Sequence, residues 1–163
     1  GGLGLGPILE TAEALTTLEG PIQLVIIAGK NRELEDSARA LASRVSISVH
    51  VRGLVENIWD YMNVADLVIS KPGGLSCAEI LAVGVPLIAL APIPGQEQAN
   101  CDALVKEGVA IHAPSAEAAY TAVEQLLMSP QLRQEMSLAA TPLGRPNAAR
   151  RAAQLVLSLI ERR

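Results

Sequence analysis

The sequence is poor in aromatic residues and carries no excess of positive charge. Its 163 residues include no Phe, one Trp and two Tyr, so an apolar interior must come from Val, Leu, Ile and Ala. Proteins that bind single-stranded nucleic acid stack the bases on aromatic side chains, and few are available here. The formal net charge of −4 also gives no attraction to a polyanion. We therefore predict that the protein does not bind nucleic acid.

Cysteine is scarce as well. Cys77 and Cys101 belong to no CxxC pair and to no spacing typical of a metal site. We expect both thiols to be reduced and buried, and we expect neither a metal nor a cofactor. The sequence also lacks a signal peptide and any apolar run of the roughly 18 or more residues that a membrane helix needs. A cytoplasmic protein is predicted.

Catalytic groups are also missing. His50 falls inside a predicted strand and His112 at a strand end, and neither has a third group placed to orient it. The spacing demands no Ser-His-Asp arrangement and no close pair of carboxylates. A catalytic base from this chain is therefore not expected.

Short apolar runs alternate with amphipathic segments along the chain. Residues 22–28 are almost all apolar, as in buried parallel strands, and helical periodicity follows over residues 33–44. The alternation continues with strands predicted at 45–52, 67–70, 85–91 and 109–112, and helices at 58–65, 75–83, 97–106 and 147–163. This order predicts an α/β fold with a Rossmann-like, doubly wound parallel sheet. The length suits a single domain, residues 1–163.

A glycine-rich segment, GGLGLGP at residues 1–7, opens the chain and leads into a helix. Such a loop normally follows a strand, so we expect a first strand upstream of Gly1; a sheet that lacks this strand is the alternative. The loop has neither the Gly-Lys-Ser/Thr of a P-loop nor a G-x-G-x-x-G fingerprint. The run at 22–28 also ends without an acid that could hold a nicotinamide ribose. A dinucleotide-dependent oxidoreductase is therefore disfavoured.

Residues 71–79, with the sequence KPGGLSCAE, indicate a strand end, a glycine turn and a helix start. Free backbone N–H groups and the helix dipole favour a bound anion at such a place, and a phosphate is the first hypothesis. Glu79 lies one turn into the helix, where its carboxylate could accept hydrogen bonds from the two hydroxyls of a ribose. Ser76 and Glu79 also have the spacing of a capping box, which is the structural alternative.

A second polar loop, PGQEQAN at residues 94–100, follows the next apolar strand. Gln96 and Asn100 are four residues apart and would share one helix face. Together with Glu97 they offer the mixed donors and acceptors that a sugar needs, although an ordinary solvated helix start would look similar. Both loops would open on the same edge of a parallel sheet, where α/β folds bind ligands.

These two loops, together with GVP at 84–86, GLGLGP at 2–7 and LGRPNAA at 143–149, closely resemble the C-terminal half of the GT-B glycosyltransferases that make glycosyldiacylglycerols. The family includes processive diacylglycerol glucosyltransferases and monogalactosyldiacylglycerol synthases. The resemblance implies one half of a GT-B fold that holds the UDP-hexose donor of an inverting hexosyltransferase. The acceptor, a lipid such as diacylglycerol, and the catalytic base would belong to an N-terminal domain without a counterpart here. The chain alone should then bind donor without turnover, and the full-length protein should contact the cytosolic membrane face peripherally.

The resemblance also implies roles for individual residues. Glu79 would bind the ribose hydroxyls, and the loop at Leu54 and Val55 would face uracil through backbone groups. The diphosphate would be surrounded by glycines of two loops and one leucine: Gly4, Gly6, Gly73, Gly74 and Leu75. Gln96, Glu97 and Asn100 would contact the hexose. No divalent metal is implied, and Leu3 departs from the polar residue that many relatives carry.

Two further interpretations stay open at this stage. A more distant likeness to the N-acetylglucosaminyltransferase that forms lipid II would make the donor UDP-GlcNAc and the acceptor lipid I. A nucleotide-binding module without catalysis is the other alternative, and a full-length protein lacking an acceptor domain would favour it.

Overall fold

The computed structural model of the protein describes residues 6–160. Five strands run in chain order as β1 (Gln23–Ile27), β2 (Ser48–Arg52), β3 (Val68–Ser70), β4 (Leu87–Leu90) and β5 (Ala110–Ala113). Eight helices accompany them: α1 (Ile8–Leu15), α2 (Arg32–Ala42), α3 (Ile58–Val64), α4 (Gly74–Val83), α5 (Gln96–Lys106), α6 (Ala116–Met128), α7 (Pro130–Ala140) and α8 (Ala148–Ile160). The predicted alternation of strands and helices is confirmed.

A clear shift from the predicted bounds concerns the start of β2. Strand pairing begins at Ser48, three residues later than the apolar pattern suggests. Ser43 and Arg44 close the last turn of α2, since the Arg44 N–H donates to the Leu41 carbonyl at 3.1 Å. Residues 45–47 connect this turn to the strand, and Val45 is apolar because it packs against the cluster of β1 and β2.

Within residues 6–160 all strand pairs are parallel, as predicted, but they form two sheets. One consists of β1 and β2, and the other has the order β3-β4-β5. Among residues 6–160 no pairing joins β1 to β3. Leu24 of β1 and Ile69 of β3 nevertheless pack against the same apolar cluster. The expected first strand upstream of Gly1 stays a prediction at this point.

The central strand β4 explains why this fold is doubly wound. All four of its residues are buried. Leu87 and Ala89 belong to a cluster with residues of α4 and α5, whereas Ile88 and Leu90 belong to a cluster with residues of α1 and α6. Helices therefore cover both faces, which is why the strand is an unbroken apolar run. The Rossmann-like prediction is confirmed.

The interior is aliphatic, as the composition requires. Every buried apolar residue that the structure describes is aliphatic or carries sulfur. Cys77 and Cys101 are buried and free, which confirms their predicted state. A smaller cluster around Ile26 and Val51 covers the pair β1-β2 with side chains from α1 and α2.

Helix α8 differs from the others because none of its residues is buried. Leu155, Val156 and Leu159 are each more than half exposed. The predicted helix is present, but the apolar face that its periodicity marks is not covered within residues 6–160. No helix in this range combines the length and the hydropathy required to cross a bilayer.

Candidate functional site

The parallel register of β3 and β4 places two loops on one edge of the sheet. Val68 pairs with Leu87 and Ser70 with Ala89, so both strands end at the same level. The loop after β3 begins at Lys71, and the loop after β4 begins at Ala91. The edge where these loops emerge is called the rim below.

The first rim loop presents the start of α4 without a cap. Gly73 is the N-cap residue, no side chain of residues 6–160 bonds to the first turn, and the first turn contains no acid. The Gly73 N–H donates to the Lys71 carbonyl at 2.9 Å, which closes the turn. Within residues 6–160 the next three N–H groups, those of Gly74, Leu75 and Ser76, have no acceptor. Free N–H groups at the positive end of a helix dipole suit an anion.

The second rim loop is held in an unusual backbone conformation. Ala91 has a φ of 41°, the one positive φ outside glycine among residues 6–160, and Gly95 has a φ of 105°. A left-handed alanine is strained, and such strain tends to occur at functional sites. Glu97 braces this loop because its Oε2 accepts the Ile93 N–H at 2.9 Å. The start of α5 is thereby fixed against the loop that precedes it.

Direct contacts join the two loops. Asn100 Nδ2 donates to the Pro72 carbonyl at 2.9 Å. A Cβ added to Gly74 would lie 3.4 Å from Gln96 Nε2, so this amide lies beside the first turn of α4. Gln96 and Asn100 therefore both lie against the loop after β3. This bond uses one N–H of the Asn100 amide, which leaves the other N–H and the carbonyl oxygen for a ligand.

A lysine that sequence reasoning did not single out lies between these loops. Lys71 Nζ is 3.5 Å from Glu97 Oε2, and the lysine side chain is only 17% exposed. A Cβ on Gly6 would lie 3.0 Å from Lys71 Cε, so the loop before α1 also reaches the rim. The sequence signal that could have identified Lys71 is its position directly after an apolar strand and before Pro-Gly-Gly.

Glu79 is free of the structural role that its spacing allowed. Helix α4 begins at Gly74, two residues before Ser76, and no capping hydrogen bond forms. Among residues 6–160 the Glu79 carboxylate has no hydrogen-bond donor and no ion-pair partner. The capping-box alternative is therefore not realised, and the carboxylate stays available for a ligand.

The remaining predicted residues lie elsewhere on the chain. Leu54, 61% exposed, and Val55 follow β2, which belongs to the other sheet. Gly53 before them packs tightly, because a Cβ there would lie 2.7 Å from Glu35 Oε2. Within the described range no hydrogen bond joins this loop to the two rim loops. Gly4 lies outside the described residues.

Two cavities lie away from these groups. One, of about 310 Å³, is lined by residues before β4 and on α7, including Pro86 and Arg133, at the opposite end of the sheet. The other, of about 460 Å³, surrounds Arg145 and Arg151 near the start of α8.

Comparison with known proteins identifies the family. Residues 4–141 match the model of the family described as glycosyl transferases group 1. A processive diacylglycerol beta-glucosyltransferase of Bacillus licheniformis is 34% identical over 129 residues, which cover 79% of this chain and 33% of that protein. The Bacillus mycoides enzyme of the same name is 31% identical over 145 residues, covering 89% and 37%. The chain thus spans about a third of these curated relatives.

Solved structures agree on the fold. A crystal structure of Acinetobacter baumannii MurG has a TM-score of 0.81 at 25% identity, covering 97% of this chain and 48% of that one. A Staphylococcus aureus MnaA-UDP co-structure has a TM-score of 0.76 at 16% identity, with 97% and 43% covered. The predicted half of a GT-B fold is confirmed by these matches.

Proposed function

Because this chain belongs to the glycosyl transferases of group 1, we propose that it is the donor-binding half of an inverting hexosyltransferase. The donor would be a UDP-hexose, and the acceptor a lipid, diacylglycerol by the names of the curated relatives. Since those relatives are more than twice as long, the acceptor site and the catalytic base would belong to the rest of the protein. This chain alone would bind the donor without turning it over.

The observation that carries the proposal is the meeting of the two rim loops. The uncapped first turn of α4 suits the diphosphate, and the Gln96 amide beside Gly74 would reach the sugar attached to it. Glu97 and Asn100 follow on α5 as further hexose contacts. The Glu79 carboxylate, which has no partner among residues 6–160, would accept hydrogen bonds from both ribose hydroxyls. The backbone at Leu54 and Val55 would face uracil.

We propose that backbone N–H groups, rather than a divalent metal, stabilise the departing diphosphate. Three free N–H groups at the start of α4 would donate to it, and preorganised donors of this kind stabilise developing negative charge. Gly4 and Gly6 would let the first loop approach the same oxygens. Turnover by the full-length protein should then survive excess EDTA, whereas metal-dependent transfer would stop.

The lack of pairing between β1 and β3 among residues 6–160 bears on the domain organisation. We propose that one strand from the segment upstream of Gly1 fits between β1 and β3 and joins the two sheets. Leu24 and Ile69, one on each side of this gap, already pack against a common cluster. Gly6 lies against Lys71 at the end of β3, so the chain enters α1 from this place. A version extended upstream should unfold at a higher temperature than residues 1–163; an equal or lower temperature would contradict the proposal.

A second candidate follows from the MurG likeness, which has a TM-score of 0.81. In this alternative the donor is UDP-GlcNAc, and the acceptor is a polyprenyl-linked sugar such as lipid I. Competition of UDP-glucose, UDP-galactose and UDP-GlcNAc for bound UDP distinguishes the candidates. Preference for a plain hexose supports the first, and preference for the acetamido sugar supports the second.

The activity itself is tested with the full-length protein. It should transfer labelled hexose from the UDP-sugar to vesicles that contain diacylglycerol and should sediment with those vesicles, as expected for an enzyme at the cytosolic membrane face. Residues 1–163 serve as the control, because they should bind donor but release no labelled glycolipid. Absence of transfer by the full-length protein to any lipid, with donor still bound, would favour a non-catalytic nucleotide-sugar module.

A further inference from the structure

Lys71 is a largely buried lysine whose ammonium has one charged partner in the described range. Its side chain is 17% exposed, and Glu97 is the one acid within ion-pair distance in the described range. The separation of 3.5 Å is longer than the roughly 2.7–2.9 Å of a strong charge-assisted hydrogen bond. An ammonium carries three donors, so this single loose contact leaves donors that face solvent and that a ligand can take over.

The residues around Lys71 indicate which ligand group its ammonium could bind. The lysine stem lies against Gly6 of the first glycine loop, and its head lies beside Glu97 of α5. Its own carbonyl accepts the Gly73 N–H and so helps to form the turn that exposes the first N–H groups of α4. The cation therefore lies where three loops meet, and two of these loops are proposed to surround the diphosphate.

We propose that the Lys71 ammonium binds a diphosphate oxygen of the donor, with Glu97 as the counter-ion that holds it at the rim before the donor arrives. This inference rests on the proposed function. Glu97 would act first as a positioning residue, because the same oxygen that faces Lys71 also accepts the Ile93 N–H. A diphosphate oxygen would then compete with Glu97 for the ammonium.

The test is a calorimetric titration of the purified chain with UDP and with uridine. Lys71→Met should weaken UDP binding by about tenfold or more, the usual effect of losing a hydrogen bond to a charged group, and should leave uridine binding unchanged. Lys71→Arg should restore most of the UDP affinity. Lys106→Met is the matched control, because Lys106 is exposed in the last turn of α5, and it should change neither titration.

A second variant, Glu97→Gln, separates the charge of Glu97 from its contacts. One amide oxygen could still accept the Ile93 N–H and face Lys71, so the loop should keep its shape. UDP should then bind at least as tightly as in the wild type, because a competing negative charge is gone. A loss of UDP affinity equal to that of Lys71→Met would overturn the assigned role of Glu97.

The outcomes also separate this inference from the proposed function. If the wild type binds UDP and Lys71→Met binds it equally well, the inference is wrong while the function stands. If Lys71→Met weakens UDP and uridine by the same factor, the lysine supports the fold only, and the inference is again wrong. If the wild type binds inorganic pyrophosphate in a Lys71-dependent manner but binds no UDP, the anion site stands and the nucleotide-sugar function fails.

Discussion

Replacing Glu79 tests whether this carboxylate serves a ligand or the helix. The carboxylate has no partner among residues 6–160, and α4 begins at Gly74 without a capping box. If it accepts hydrogen bonds from two ribose hydroxyls, each bond should contribute about 1.5–3 kcal/mol to the binding free energy of UDP, as for other hydrogen bonds to charged groups. Glu79→Ala would then weaken UDP binding by about 3 kcal/mol or more, which raises the dissociation constant by a factor of 100 or more.

The same substitution should hardly affect folding. A surface change without a cap or a buried partner usually alters the free energy of unfolding by no more than about 0.5 kcal/mol. Calorimetric titrations with UDP and with its 2′,3′-dideoxy analogue, together with urea unfolding, measure both effects. The wild type should discriminate the two nucleotides, whereas Glu79→Ala should bind them equally. Glu124→Ala, on the exposed side of α6, is the control and should match the wild type.

One pattern of results would refute this reasoning. If Glu79→Ala bound UDP normally and lost about 0.5–2 kcal/mol of folding stability, the residue would act as a helix cap. The ribose role would then be wrong, and the absence of a capping hydrogen bond in α4 would need another explanation.

Three further predictions concern folding and the rim. Gly144→Ala should destabilise the protein by about 1–3 kcal/mol in urea unfolding, because the new Cβ would lie 2.5 Å from a carbonyl oxygen of α4; unchanged stability would contradict this packing. Asn100→Ala removes the hydrogen bond to Pro72 and should cost about 1 kcal/mol in the same assay while weakening donor binding, whereas full affinity would show that the rim loops do not need this tie. Burial raises the pKa of the Cys77 thiol, with the nearby Cys101 adding to the rise, so the folded state keeps its proton to higher pH than the unfolded state. The contribution of this thiol to the free energy of unfolding is therefore complete below its ordinary pKa and falls at more alkaline pH. In Cys77→Ala the free energy of unfolding should decrease less steeply with rising alkaline pH than in the wild type, and an equal slope would contradict this prediction.

The sequence predicted most of the secondary structure because each strand is short, apolar and followed by an amphipathic segment. β4 is the clearest case, since helices on both faces force all four residues to be apolar. The break between β1 and β3 could not be predicted this way, because periodicity identifies strands but not their neighbours. The exposure of α8 could not be predicted either, because the sequence pattern marks the apolar face of a helix but not what packs against that face.

The sequence predicted the parts of the candidate site that depend on the backbone. Glycines at a strand end predicted the free N–H groups of α4, and the spacing of Gln96 and Asn100 predicted that they share one face of a helix, but not that both contact the loop after β3. Lys71 was missed because a lysine after a strand is usually solvated, and only the structure shows it nearly buried against Gly6 and Glu97. The bond from Asn100 to Pro72 was missed for a similar reason, since its partner is a backbone carbonyl 28 residues away.

The central claim is that the rim of residues 1–163 binds the nucleotide diphosphate of a sugar donor. The most direct measurement is a calorimetric titration of this chain, and of a version extended upstream of Gly1, with UDP and with NAD. The account predicts saturable binding of one UDP per chain, competition by a UDP-hexose and no comparable heat with NAD. Absence of UDP binding at millimolar concentration in both versions, or tighter binding of NAD than of UDP, would contradict it.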